Sequence, residues 1–141
     1  MHPQQTLDLN DAALALQASR AHADSHQGLV SVAVVDGGGH LLAFQRLDGA
    51  SISSAETAIA KARMAALCGK PTAEMEASIN GPRPGLLQLA VLLQQPSAAM
   101  AGGLPLLIGS SCIGAIGVSG MTPELDAAIA SAGLQALHSQ P

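Results

Sequence analysis

Two short apolar runs stand five residues apart, LVSVAVV (29–35) and LLAFQRLD (41–48), joined by DGGGH. The first run is rich in β-branched residues and bounded by Asp-Gly-Gly-Gly; it reads as a strand and the second run as the next one. A five-residue link between strands is hairpin length, and its glycines supply positive φ wherever the turn needs it. The pair is therefore antiparallel, which argues against a doubly wound parallel sheet. A phosphate-binding loop would feed its glycines into a helix N-terminus. These feed into a strand, and Asp36 is expected to cap the turn with its carboxylate.

The rest of the chain surrounds this hairpin with helices. NDAALALQASRAHADSHQG (10–28) reads as a helix with Asn10 as N-cap, an apolar stripe of Leu9, Ala13 and Leu16, and Gly28 as the stop. Ser53 to Glu56 has the pattern of a capping box, and Ile52, Ala55, Ile59, Ala62 and Ala66 follow at helical spacing. Gly69 and Pro71 close that helix, and Thr72 is placed to cap a shorter one, TAEMEASI. GPRPG (81–85) reads as a rigid turn, and LLQLAVLLQQ (86–95) suits a helix or a strand equally by periodicity. Residues 98–109 and 113–120 read as strands, and Thr122-Pro123 opens a last helix running to about Leu137. Strands in short-turn pairs with helices between them predict an α+β fold. One domain over residues 1–141 is expected.

Charged residues make up only 11% of the chain, low for a monomer of this size. The deficit predicts buried surfaces between copies. Phe44 is the one aromatic residue, so the core must be built from Ala, Leu, Ile and Val. The net charge is −4 and the basic residues are scattered, which excludes a nucleic-acid stripe. No apolar run approaches the ~18 residues of a membrane helix, and the N-terminus lacks the pattern of a secretory signal. Cys68 and Cys112 lack metal spacing and are expected to be reduced, in keeping with a cytoplasmic location.

Several residues are candidates for chemistry. Arg46 and Asp48, two apart on a strand, share a face, as a local salt bridge or as an anchor for a polar ligand. Lys61 and Arg63 interrupt an Ala-rich helix; each either snorkels to solvent or points at an anion. His22 and His26 share a face of the first helix at a spacing that suits metal or haem iron, with solvated histidines as the plain reading. His40, His2 and His138 are weaker candidates. Gly114 and Gly117 among Ile113, Ile116 and Val118 signal close approach, either of a ligand or of a helix. HExxH, CxxC and GxSxG motifs are missing.

Taken together, AVVDGGGHLLAFQRLDGAS, AIAKARMAA, AGGLPLLIG and IGAIGVSG resemble, in order and spacing, the GlcG/HbpS-like family. The same module is the C-terminal domain of one type of corrinoid adenosyltransferase. The resemblance runs from about Leu7 to Leu137. It implies a profilin-like fold, a five-stranded antiparallel sheet flanked by helices, assembled into dimers or rings up to octamers. It also implies a bound haem or corrinoid, since several members bind one and some are described as haem-degrading or redox-sensing. The chain departs from the family at Met64, where threonine is usual, and at Gly109-Ser110, where Asp-Gly is usual. Met64 is either a soft iron ligand or a packing residue.

The expectation is a homo-oligomeric binder of haem or a related tetrapyrrole, held between subunits. His22 or His26 would ligate iron, and Arg46, Lys61 or Arg83 would pair with propionates. The alternative is an enzyme or enzyme accessory for a small organic acid, with Asp36, Arg46, Asp48 and Lys61 as the polar site. The residues alone do not decide whether the chain catalyses a reaction.

Overall fold

The computed structural model describes residues 1–139. Helix α1 (Leu9–Ser25) precedes the hairpin of β1 (Ser31–Asp36) and β2 (Leu41–Arg46). Helices α2 (Ile52–Cys68) and α3 (Thr72–Ile79) follow, then a 3-10 turn (Pro84–Gln88) and a one-turn α4 (Leu89–Leu92). Strands β3 (Gly103–Ile108) and β4 (Ser111–Ser119) and helix α5 (Pro123–His138) complete the fold. The strands form one antiparallel sheet in the order β2-β1-β4-β3. The fold class is α+β, as expected, but the sheet has four strands where five were expected. The ambiguous segment 86–95 coils into the 3-10 turn and α4, and residues 98–102 stay irregular, so no segment remains to supply a fifth.

Both faces of the sheet are covered. Val32, Val34, Ile116 and Val118 pack with Leu16 of α1 and Ile129 of α5 on one face. Ala33, Val35 and Ala115 pack with Ala58, Ala62 and Ala65 of α2 on the other. Coverage on both sides explains why β1 is apolar without interruption in an antiparallel sheet. The glycines of β4 serve packing. A Cβ on Gly117 would strike the Ala58 carbonyl and the Ala62 amide, so α2 lies on β4 at backbone contact. The hairpin forms as read: Asp36 Oδ1 accepts the N–H groups of Gly38 and His40, both at 2.9 Å, and Gly39 takes φ +83°.

Three helix starts differ from expectation. Asp8, not Asn10, caps α1: its carboxylate accepts the Asp11 N–H at 2.9 Å, while the Asp11 carboxylate accepts the Asp8 N–H at 3.2 Å. The buried stripe shifts to Ala12, Ala15, Leu16, Ser19 and Ala23, leaving Leu9 exposed. Ser53 and Glu56 make no capping box, and the buried Ser54 hydroxyl is taken by the Ser51 carbonyl and by Ser31. Thr72 does not cap α3; it lies in the first turn, buried, and its Oγ1 accepts the Gly103 N–H at 2.8 Å. Asp8→Ala is expected to cost about 1 kcal/mol in urea denaturation. Asn10→Ala should stay within about 0.5 kcal/mol.

Candidate functional site

The residues singled out for chemistry do not come together; most of them fall in four places. Lys61 is the first. An exposed lysine was the plain expectation, but Lys61 is 3% exposed and its ammonium has two partners. It donates to the Val118 carbonyl at 2.9 Å and meets Asp126 Oδ2 at 3.3 Å. Asp126, 2% exposed in the first turn of α5, also accepts the Met121 N–H at 3.0 Å. Burial pushes the Asp126 carboxyl above its ordinary range, opposed by the Met121 N–H and by the Lys61 charge. The lysine stem runs past Gly102, where a Cβ would touch Nζ and Cδ. The pair joins α2 to α5, which pack on opposite faces of the sheet.

The histidines are the second place. His22 and His26 stack with ring centroids 4.5 Å apart. His26 is exposed, and its Nδ1 lies 3.0 Å from the His22 carbonyl, so its Nε2 faces outward. At 100° per residue His22 sits on one flank of the α1 buried stripe and Arg20 on the other, and His26 follows as the C-cap. Among the described residues, no group of three or more His, Cys, Asp or Glu side chains is placed to hold a metal ion.

The third place is apolar. A cavity of about 320 Å³ opens between α2 and the α3–α4 arm. Met64, Ile79, Leu86, Leu87, Ala90 and Met100 form most of its wall, with Glu76 and Asn80 at its polar side. Exposed Leu87, Val91, Leu92 and Met100 extend this apolar surface outward. Met64 is 1% exposed, and its thioether accepts the Cys68 thiol at 3.5 Å. Burial raises the Cys68 thiol, opposed by Lys70. Arg83 is exposed and immediately precedes the 3-10 turn.

Arg46 and Asp48 form the fourth place, and no ion pair joins them. With Arg20, Gln45 and Leu47 they line a cavity of about 280 Å³. Asp36 is remote from this group, held in its turn beside His40. The set Asp36, Arg46, Asp48 and Lys61 is therefore spread over three places. Three polar residues escaped the sequence reading: Asp126, Arg20 and Gln45. The one signal for Asp126 was a lone lysine in an Ala-rich helix, which needs a buried counter-charge. Arg20 and Asp24, spaced i,i+4 and 3.8 Å apart, read as a solvated pair.

One antiparallel sheet between an α1–α5 layer and α2 defines a class of small α+β module. Within that class the chain belongs to the HbpS-like family: the family model described as haem degrading protein HbpS-like matches residues 7–135. The chain is 35% identical to the protein GlcG of Escherichia coli K12 over 108 residues, 77% of each chain. It is similar to the crystal structure of Klebsiella pneumoniae protein ORFY, with TM-score 0.91, 32% identity, and 100% and 97% of the two chains covered. It is also similar to the crystal structure of a PduOC:haem complex, with TM-score 0.82, 29% identity, and coverage of 93% and 94%.

Proposed function

We propose that this protein binds haem or a closely related tetrapyrrole, with the macrocycle seated in the apolar cavity over Met64. The observation that carries the reading is that cavity, in a chain whose family is described as haem-degrading. The haem complex of the similar structure PduOC supports it. The residues present fit the group in part. A macrocycle is apolar on both faces and carries carboxylates at one edge. Leu86, Leu87, Met100 and Ile79 supply the apolar wall, and Arg83 on the same arm is free to meet a propionate. Bound haem would supply a redox-active iron.

Lys61 leaves the propionate set, because its ammonium is held by Asp126 and Val118. Arg46 leaves it too: it lies on edge strand β2, whereas the cavity wall at Ser97–Met100 leads toward the opposite edge, β3. His22 and His26 project from α1, across the sheet from α2. They ligate the same haem only when a second copy brings its α1 to the cavity. A homo-oligomer, from dimer to octamer, in the cytoplasm is part of this reading. Among the described residues no helix is long and apolar enough to cross a membrane.

A haemin titration in the Soret region tests it. The wild type should give a saturable, stoichiometric shift. Leu87→Asp with Met100→Asp should weaken it at least tenfold by placing charge against the macrocycle. His22→Ala with His26→Ala should leave the affinity within about threefold if Met64 faces the iron, and abolish the shift if a second copy supplies histidine. No saturable shift in the wild type overturns the reading.

A further inference from the structure

We infer that two copies of this chain pair edge to edge along β2, as antiparallel strands about a two-fold axis at Gln45. The join makes one sheet of eight strands, four from each copy. It gives the homo-oligomer of the proposed function a specific contact and rests on that part of the reading alone; tetrapyrrole binding does not enter.

The sheet has two edges, and they differ. An edge strand offers the backbone N–H and C=O groups of alternate residues to any strand that meets it. On β3 these groups belong to Gly103 and Pro105, because the Val118 N–H donates to the Gly102 carbonyl at 2.9 Å and sets the alternation. Thr72 covers the first of them: its Oγ1 accepts the Gly103 N–H at 2.8 Å and donates to the Gly103 carbonyl at 3.3 Å. Pro105 has no N–H to offer. The β3 edge is closed to a further strand over this stretch.

The β2 edge is open. The Leu47 N–H donates to the Val30 carbonyl at 3.0 Å, and Val32 lies opposite Gln45 in the same register. Gln45 therefore bonds to β1, while Phe44 and Arg46 turn their N–H and C=O groups outward. Among the described residues no side chain meets those groups, and β2 contains no proline.

A second β2 is the strand this edge fits. With the axis at Gln45, Phe44 of each copy lies opposite Arg46 of the other, so every open residue on both copies finds its hydrogen bonds at once. An axis at Phe44 would set Arg46 opposite Leu42, inside the irregular step between Ala43 and Leu41. An axis at Arg46 would set the two guanidiniums face to face. Phe44 and Arg46 are two apart and share the α2 face of the strand, so in the chosen register each guanidinium meets the other copy's phenyl ring as a cation–π pair. Half-buried Ile59 of α2 packs with Phe44 in one apolar cluster on that face, on the same side of the join in both copies. Because β3 is closed, the result is a closed pair and not a ribbon that grows at both ends. The cavity over Met64 lies toward β3 and stays clear of the join.

The test is a cross-link at the axis, made in the full chain carrying Cys68→Ser and Cys112→Ser. In this register Gln45 faces its own counterpart as a non-hydrogen-bonded pair, with Cα atoms about 4.5 Å apart, within disulfide reach. Gln45→Cys should close to a disulfide dimer under mild oxidant. Leu41→Cys, exposed on the same strand but several residues from its counterpart, should not. Arg46→Pro removes an outward N–H and spares the ladder to β1, and should weaken the dimer at least tenfold in sedimentation equilibrium. Arg46→Ala keeps that N–H and loses only the ring contact, and should weaken the dimer about threefold. No disulfide at Gln45→Cys, or one formed as readily at Leu41→Cys, overturns the proposal. So does a dimer that a folded Arg46→Pro leaves unchanged, or a wild type that stays monomeric throughout. If Arg46→Pro fails to fold, the cross-link decides. Haemin is absent from every sample, so a failed cross-link and a failed haemin titration are separate results.

Discussion

Lys61→Ala is expected to lower stability by about 3–5 kcal/mol, because it strands the Asp126 carboxylate in the interior with only backbone partners. Asp126→Ala should cost a similar amount by leaving the Lys61 ammonium on the Val118 carbonyl alone. For a chain of this length that loss corresponds to a melting point lower by roughly 10–20 °C. The double change Lys61→Met with Asp126→Leu removes both charges together and should recover most of it. Urea midpoints at constant slope measure all three. The pH dependence follows from the raised carboxyl. Folded Asp126 holds its proton where the unfolded chain has released it. Its stabilising contribution is therefore full below the ordinary value of 3.8 and lost as pH rises through the raised folded value. The stability difference between wild type and the double variant should fall across that window and be flat above it. A loss below 1 kcal/mol in Lys61→Ala would show that the pair is not structural and return Lys61 to the list of ligand residues.

Gly117→Ala is the second large effect. The added methyl meets the Ala58 carbonyl and the Ala62 amide, which are backbone and have no rotamer through which to yield. The α2 helix must lift from β4, opening the seam that Ala58, Ala62 and Ala65 close against Ala33, Val35 and Ala115. A cost of about 3 kcal/mol or more is expected, the upper end for overpacking. Gly85→Ala, where an added Cβ meets nothing within 4 Å, is the matched control and should stay within about 0.5 kcal/mol. Thermal unfolding of the two variants side by side checks it.

These two effects mark where sequence reading succeeds and where it stops. The hairpin was legible because Asp36 and the glycines act through local geometry: an Asx turn and one positive φ need no distant partner. The apolar runs of β1 and β4 were legible for the same reason. The first turn of α1 was not, because two aspartates three residues apart compete with Asn10 for the same cap, and spacing alone does not choose. Ser54 and Thr72 carry capping chemistry but spend their hydroxyls on Ser31 and Gly103, residues distant in sequence. Lys61 is the sharpest case. Its partner is 65 residues away, so a lysine in an Ala-rich helix reads as solvated until the fold brings Asp126 to it. Arg46 and Asp48 were individually visible, but their neighbours were not. Arg46 and Asp48 share a cavity without touching each other, and the third and fourth members, Arg20 and Gln45, come from chain neighbours that looked ordinary.

The bridge from α2 to α5 has one more consequence. The two helical layers cover opposite faces of the sheet and share no apolar cluster, so packing alone would let either layer peel away and leave the other in place. A charge pair spanning them opposes this. Release of either helix bares an uncompensated ion in the half that stays behind, so the cost of a partial opening approaches that of opening the whole. Lys61 and Asp126 thereby tie the two interiors together, and a single unfolding transition seen by probes on both faces is the expected result.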